Sequence, residues 1–90
     1  MNTHDMVDRG RHHTSLRTEL ARQGPLWPRE RALLLEAADA LLFEEPEAAW
    51  QKAQALHLLD ALEANGRRTE GEAQRLRDAL DGCGEPAVVA

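Results

Sequence analysis

The chain has 90 residues, 42% of them apolar, and a formal net charge of −5 from 16 acidic and 11 basic side chains. A chain this short forms one domain at most and buries only about 60–65% of its unfolded surface, so its core is thin. It has no apolar run of the ~18 residues needed to span a membrane, no apolar signal segment at its polar start and too few cysteines for an internal disulfide, so we expect a cytoplasmic protein.

The residue types favour helices over strands. The chain is rich in Ala, Leu, Glu, Arg and Gln, which are good helix formers. It has almost none of the β-branched and aromatic residues that strands prefer, with two Trp, one Phe and no Tyr. We therefore predict an all-α fold.

The first 13 residues are polar and lack an apolar stripe, so we expect a flexible tail over 1–13. A short helix is predicted over 14–23, where Leu16, Leu20 and Ala21 form a narrow apolar edge. The Gly-Pro pair that follows ends this helix. A helix of about ten residues is marginal in water, so it must dock on the rest of the chain.

The second helix is predicted over 28–44, and Pro28 suits its first turn because the missing N–H is not needed there. Glu45 precedes a proline and is pushed out of the α region, so the helix ends there. The inward positions follow the spacing i, i+3, i+4, i+7 and are Leu34, Ala37, Ala38 and Leu41.

Two further helices complete the predicted fold. The third covers 46–65 and ends at an Asn-Gly pair. The fourth covers 69–82 and begins with a capping box, in which Thr69 caps the helix and Glu72 returns a bond to it. The stripe of the fourth helix is Ala73, Leu76, Leu80 and Cys83. Tight turns join these helices, so we expect a bundle of three main antiparallel helices with the short helix packed across it.

We assign residues 14–84 to the bundle domain and residues 85–90 to a carboxyl-terminal tail.

Charge is unevenly spread along this chain. Residues 1–31 carry +2, residues 32–66 carry −6 and residues 67–90 carry −1. The acidic middle segment predicts a partner with a basic surface, with electrostatics mainly raising the association rate.

No arrangement of residues predicts catalysis, a bound metal or a cofactor. His4, His12 and His13 fall in the predicted tail, whereas a selective metal site needs ligands fixed in geometry. His57 has no nucleophile or carboxylate placed to act with it, and we interpret it as a half-exposed flank residue. Cys83 lies at a helix carboxyl end, where the dipole disfavours a thiolate, so we interpret it as a small core residue.

Nucleic-acid binding is a weaker alternative. Residues 58–77 resemble a helix–turn–helix in outline, but charged residues occupy the anchor positions and the second helix carries a net negative charge that phosphate repels. The alternative hypothesis is therefore a nucleic-acid-associated regulator, in which the arginines and histidines of the basic amino-terminal segment contact phosphate.

Exposed apolar side chains give the leading functional hypothesis, a non-catalytic protein–protein interaction module such as an adaptor, regulator or inhibitor. Helix 28–44 has more leucines than one face hides, and large anchors such as tryptophan are enriched at interface hot spots. The module would bind another protein or a second copy of itself. Our predicted contact residues are Trp27, Leu33, Leu42, Phe43 and Trp50. The leucines and Phe43 could equally belong to a wide core contact, and Trp27 could instead close one end of the bundle.

Overall fold

The structure is a computed structural model that describes residues 3–84, and the side chains of residues 6–84. It contains four helices and no strand within that range, which confirms the all-α prediction. The helices are α1 (Thr3–Arg22), α2 (Pro28–Leu42), α3 (Ala48–Ala64) and α4 (Glu70–Gly82). The predicted tail over 85–90 lies outside the described residues.

The predicted ends of α2, α3 and α4 are correct to within two residues. The capping box of α4 is confirmed, because Glu72 N donates to Thr69 Oγ1 at 3.1 Å and Thr69 N donates to the Glu72 carboxylate at 2.9 Å. The predicted stripes of α2 and α4 are buried. The largest fully buried side chains are Leu16, Leu34, Leu41, Leu59, Leu62, Leu76, Leu80 and Cys83.

The prediction for the first helix was wrong. α1 begins at Thr3 and has 20 residues, so residues 3–13 are helical where a tail was expected. Arg9 and His13 occupy the positions that continue the Leu16–Leu20 stripe toward the amino terminus, and both side chains face neighbouring helices. Because these two positions are polar, the apolar periodicity begins only at Leu16, although the helix begins at Thr3.

Arg9 holds this extension in place. It is only 5% exposed, and its guanidinium donates to Leu41 O, to Leu42 O at 3.2 Å and to Cys83 O at 2.9 Å. It also pairs with the Glu44 carboxylate at 3.3 Å. One side chain thus satisfies carbonyls at the carboxyl ends of both α2 and α4, where the helix dipoles favour a cation.

The contacts between helices show which helix ends lie together. The first half of α1 meets the carboxyl ends of α2 and α4 through Arg9. The start of α3 joins them, because Lys52 pairs with Asp81 at 3.1 Å. At the other end of the molecule, Gln23 donates to Glu72 O at 3.1 Å and Arg68 donates to Gly24 O at 3.0 Å. We call these the Arg9 end and the Arg68 end.

Candidate interaction surface

α3 is buried on one side and nearly uncharged on the other. Its inward positions include Ala55, Leu59 and Leu62, which are buried in the core. Eight of its 17 residues are exposed, and Asp60 alone among them carries a charge. We call these eight residues the α3 outer face: Ala49, Trp50, Ala53, Gln54, His57, Asp60, Ala61 and Ala64.

The other helices expose far more charge. On α2 and on α4, four of the six exposed residues are charged. A surface helix normally presents a charged or polar stripe to water. The α3 outer face departs from this pattern, because half of its eight residues are alanine and only one of the eight carries a charge.

The α3 outer face also has a regular spacing. Trp50, Gln54, His57, Ala61 and Ala64 follow each other at intervals of four, three, four and three residues. This is the spacing of a coiled-coil seam, which keeps one stripe of a helix against a partner helix. We call these five residues the α3 seam; Trp50, Ala61 and Ala64 are its apolar members, and all five are exposed.

Phe43 and Trp50 lie on either side of the α2–α3 turn at the Arg9 end. Phe43 caps the carboxyl end of α2 and Trp50 is in the first turn of α3, and they are 65% and 64% exposed. Nothing in the described part of the chain covers either ring. Two of the five predicted contact residues therefore flank the same turn.

Trp27 lies at the Arg68 end and is 67% exposed. The guanidinium of Arg67 stands over its ring, 4.5 Å from the centroid. The same guanidinium forms two hydrogen bonds with the Glu30 carboxylate, at 2.7 and 2.8 Å. Trp27 therefore takes part in the contacts that connect the start of α2 with the α3–α4 loop. It lies about the length of α2 away from Phe43.

Leu33 and Leu42 are half-buried and do not share a surface. They lie nine residues apart on α2, which turns them to opposite sides of the helix at about 100° per residue. Phe43 and Trp50 thus flank one turn, with Leu42 half-buried beside Phe43, whereas Trp27 lies at the other end of the molecule.

The Glu30–Arg67 pair makes stability depend on pH. Hydrogen bonds from Arg67 hold the pKa of the Glu30 carboxyl below its usual 4.5. The folded state therefore binds this proton less readily than the unfolded state, so the pair stabilises the fold above the unfolded pKa. That contribution is lost as pH falls through the lower, folded pKa.

We expect Glu30→Gln to lower the free energy of unfolding by about 1 kcal/mol at neutral pH, because the Glu30–Arg67 ion pair is partly buried and joined by two hydrogen bonds. At pH about 3 the difference from the unsubstituted protein should shrink, since protonation has already weakened the pair. Urea denaturation at both pH values measures this. Glu36→Gln is the matched control, because Glu36 is exposed on the same helix. An equal effect of Glu30→Gln at the two pH values contradicts the assignment.

The histidines are placed differently from the prediction. His12 and His13 belong to α1, not to a tail: His12 Nδ1 donates to Asp8 O at 2.8 Å, and His13 Nε2 donates to the Asp39 carboxylate at 2.6 Å. His57 is exposed, and its neighbour Asp60 pairs with Arg77 at 2.8 Å. No group of three metal-ligating side chains converges within the described residues.

Cys83 is a core residue, as predicted. It is fully buried, its Sγ donates to Ala79 O at 3.4 Å, and burial raises its pKa to about 11. A thiol with that pKa stays protonated at neutral pH and is a poor nucleophile.

In the segment that resembles a helix–turn–helix, residues 58–77, the arginines of α4 form ion pairs within the fold. Arg75 pairs with Glu19 at 3.4 Å, and Arg77 pairs with Asp60 and Glu63, both at 2.8 Å. The positive charges of α4 are thus already opposed by carboxylates of its neighbours.

Of the α3 outer face, Trp50 alone was predicted from the sequence as a contact residue. Its alanines were not predicted, because single alanines are common on any side of a helix. The signal was available as a second four–three spacing that runs through Trp50, His57 and Ala61.

No protein-family model, curated protein or solved structure matches this chain. None of the helices within residues 3–84 has the length and apolar character needed to cross a bilayer.

Proposed function

We propose that this protein is a non-catalytic protein–protein interaction module that acts by self-association through the α3 outer face. The observation that carries the proposal is the nearly uncharged, regularly spaced seam on the exposed side of α3. The predicted cytoplasmic location stays a prediction, as do the absence of a metal and of a cofactor.

The proposal includes an arrangement of the subunit. We propose that the four helices form an antiparallel bundle in which each helix runs opposite to its neighbours. The contacts of Arg9 and Lys52 at one end, and of Gln23 and Arg68 at the other, support this order. Such a bundle leaves α3 with two neighbours, α2 and α4, and with a free outer side.

Side-chain size favours a second copy packed antiparallel, with His57 at the two-fold axis. In that register Trp50 lies opposite Ala64 of the other copy, and Gln54 lies opposite Ala61. Large residues then face small ones, which is how helices interdigitate. A parallel pair would place the two Trp50 rings against each other and leave the alanines facing alanines.

Charge favours the same register. Glu44, Glu45 and Glu47 surround the start of α3, and Arg67 and Arg68 follow its end. An antiparallel pair brings the glutamates of each copy toward the arginines of the other. This complements the sequence prediction that the acidic segment meets a basic surface, and it offsets the repulsion between two chains of net charge −5.

We expect the protein to form dimers whose fraction rises from micromolar to millimolar concentration in light scattering. Ala61→Glu should raise the dissociation constant at least about tenfold, which corresponds to 1.4 kcal/mol, because it buries a carboxylate in the seam. Ala32→Glu is the matched control, since Ala32 is exposed on α2, away from the seam.

Disulfide trapping tests the register. His57→Cys should crosslink two copies on mild oxidation, because the two positions 57 meet at the axis. Ala64→Cys should not, because the antiparallel register separates the two positions 64 by about 20 Å. Monomers at every concentration contradict the proposed function, and crosslinking through position 64 contradicts the antiparallel register.

A further inference from the structure

Most positive side chains of this protein are engaged by carboxylates or carbonyls of the fold. This holds for Arg9, Arg22, Lys52, Arg67, Arg68, Arg75 and Arg77. Four arginines form no ion pair or hydrogen bond within the described part of the chain. They are Arg11, Arg17, Arg29 and Arg31, all on α1 or at the start of α2.

Three of these arginines line two neighbouring shallow hollows. One, of about 390 Å³ between α1 and the start of α2, is lined by Thr14, Arg17, Thr18, Ala21 and Arg31. The other, of about 330 Å³ along α1, shares Thr14 and Thr18 with it and is also lined by Arg11, Ser15 and Glu19. We call these two hollows together the α1–α2 groove.

Little negative charge opposes this groove. Residues 9–18 of α1 contain no carboxylate. Glu19 borders the second hollow, but its carboxylate accepts from Arg22 at 2.6 Å and from Gln23 at 3.0 Å. Its charge is further opposed by Arg75 at 3.4 Å. The groove therefore stays positive although the whole chain is acidic.

The side chains of the groove suit phosphate. Guanidinium groups bind phosphate oxygens through a planar fork of donors, and serine and threonine hydroxyls are the usual companions of arginine on a nucleic-acid backbone. The hydroxyls of Ser15 and Thr18 form no hydrogen bond within the described residues, so both are available as donors. Arg11 and Arg17 are about 9 Å apart along the axis of α1 and about 120° apart around it, so each guanidinium can bind a separate phosphate.

A membrane surface fits the groove less well than a nucleic acid does. A helix that lies on a bilayer inserts large apolar residues beside its cations. Around Arg11 and Arg17 the outward residues are instead Thr14, Ser15 and Thr18. The large exposed apolar residues of α1, Met6 and Val7, precede Arg11 and do not line the groove. We propose that the α1–α2 groove binds the phosphodiester backbone of a nucleic-acid duplex, without reading its base sequence.

This site is independent of the α3 outer face. α1 and α3 do not contact each other within the described residues, so the groove and the seam lie on different sides of the molecule. A dimer formed through α3 leaves both grooves open, and a monomer retains one. Failure of either proposal therefore leaves the other standing.

The test is a fluorescence-anisotropy titration of the full chain with a labelled, mixed-sequence DNA duplex at low and moderate salt. Three phosphate contacts predict a slope of log K against log salt of about −2 to −3. Arg17→Gln should weaken binding to every sequence alike and reduce the slope by about one. The combined variant Arg11→Gln, Arg17→Gln, Arg31→Gln should abolish binding.

Arg77→Gln is the matched control, because it removes the same charge from α4 beside Asp60 and Glu63, which do not line the groove. It should leave the affinity within about twofold, as expected when no phosphate contact is lost. Circular dichroism of each variant verifies that it is folded. No binding at low salt overturns the proposal, and so does an equal loss with Arg77→Gln, which would point to net charge alone. Binding to vesicles of anionic phospholipid in preference to the duplex overturns it in favour of a membrane surface.

Discussion

Replacing Arg9 by methionine is expected to lower the free energy of unfolding by about 3 kcal/mol, because buried carbonyls lose their donors. The guanidinium donates to carbonyls at the ends of two helices, and methionine of similar length fills the space without satisfying them. Since a domain of this size has about 5–10 kcal/mol of stability, the loss should be visible as a large shift of the urea midpoint.

Arg11→Met is the control for this experiment. Arg11 is exposed two residues further along the same helix, so its replacement should change stability by no more than about 0.5 kcal/mol. Arg9→Lys should fall between the two, because an ammonium keeps the charge but cannot donate along the fixed directions of the fork. An Arg9→Met protein as stable as Arg11→Met would show that the Arg9 contacts do not stabilise the fold.

Gly82→Ala is expected to destabilise the protein by about 1–2 kcal/mol, although alanine is normally the better helix residue. A Cβ at position 82 would stand 2.0 Å from His12 Cδ2 and 2.7 Å from its Cβ. Contacts that close force α1 and α4 apart or turn the histidine out of its place. Thermal and urea denaturation measure the loss.

A double-mutant cycle with His12→Ala separates this clash from any effect on α4 alone. In the His12→Ala background the substitution of Gly82 should become neutral or stabilising, which gives a coupling energy of about 1–3 kcal/mol. Gly71→Ala is the matched control on α4, because its nearest neighbour is Arg75 Nη1 at an ordinary 3.6 Å. It should stabilise by about 0.5–1 kcal/mol. If His12→Ala fails to relieve the cost, α1 does not pack on Gly82 in this way.

Helices α2, α3 and α4 were predictable because every signal they carry is local. Pro28 starts one helix, Pro46 separates two, and the Thr69–Glu72 box opens the last. Their core stripes are made of leucine and alanine, so the apolar period also identifies the buried side. Even Cys83 was assigned correctly, because it continues a stripe whose other members are apolar.

The first half of α1 was not predictable in the same way. Arg9 lies where a leucine would have continued the stripe, and a polar residue at that position looks like solvent-exposed chain. Its burial depends on two carbonyl-bearing helix ends, from α2 and α4, that are 32 and 74 residues away in sequence. Only when those ends come together does a buried guanidinium have enough acceptors to offset its loss of water.

The surfaces of the protein show the same contrast between local sequence patterns and long-range contacts. The sequence by itself determined which residues of α2 and α4 face the core, because residue spacing fixes which side chains share a helix face. It also determined that the amino-terminal third is basic, because charge is a property of composition. Only the tertiary structure decided that Arg67 of the α3–α4 loop packs on Trp27 and pairs with Glu30, and which arginines the fold leaves without a carboxylate. Those facts depend on contacts between residues far apart in the chain, and no local pattern records them.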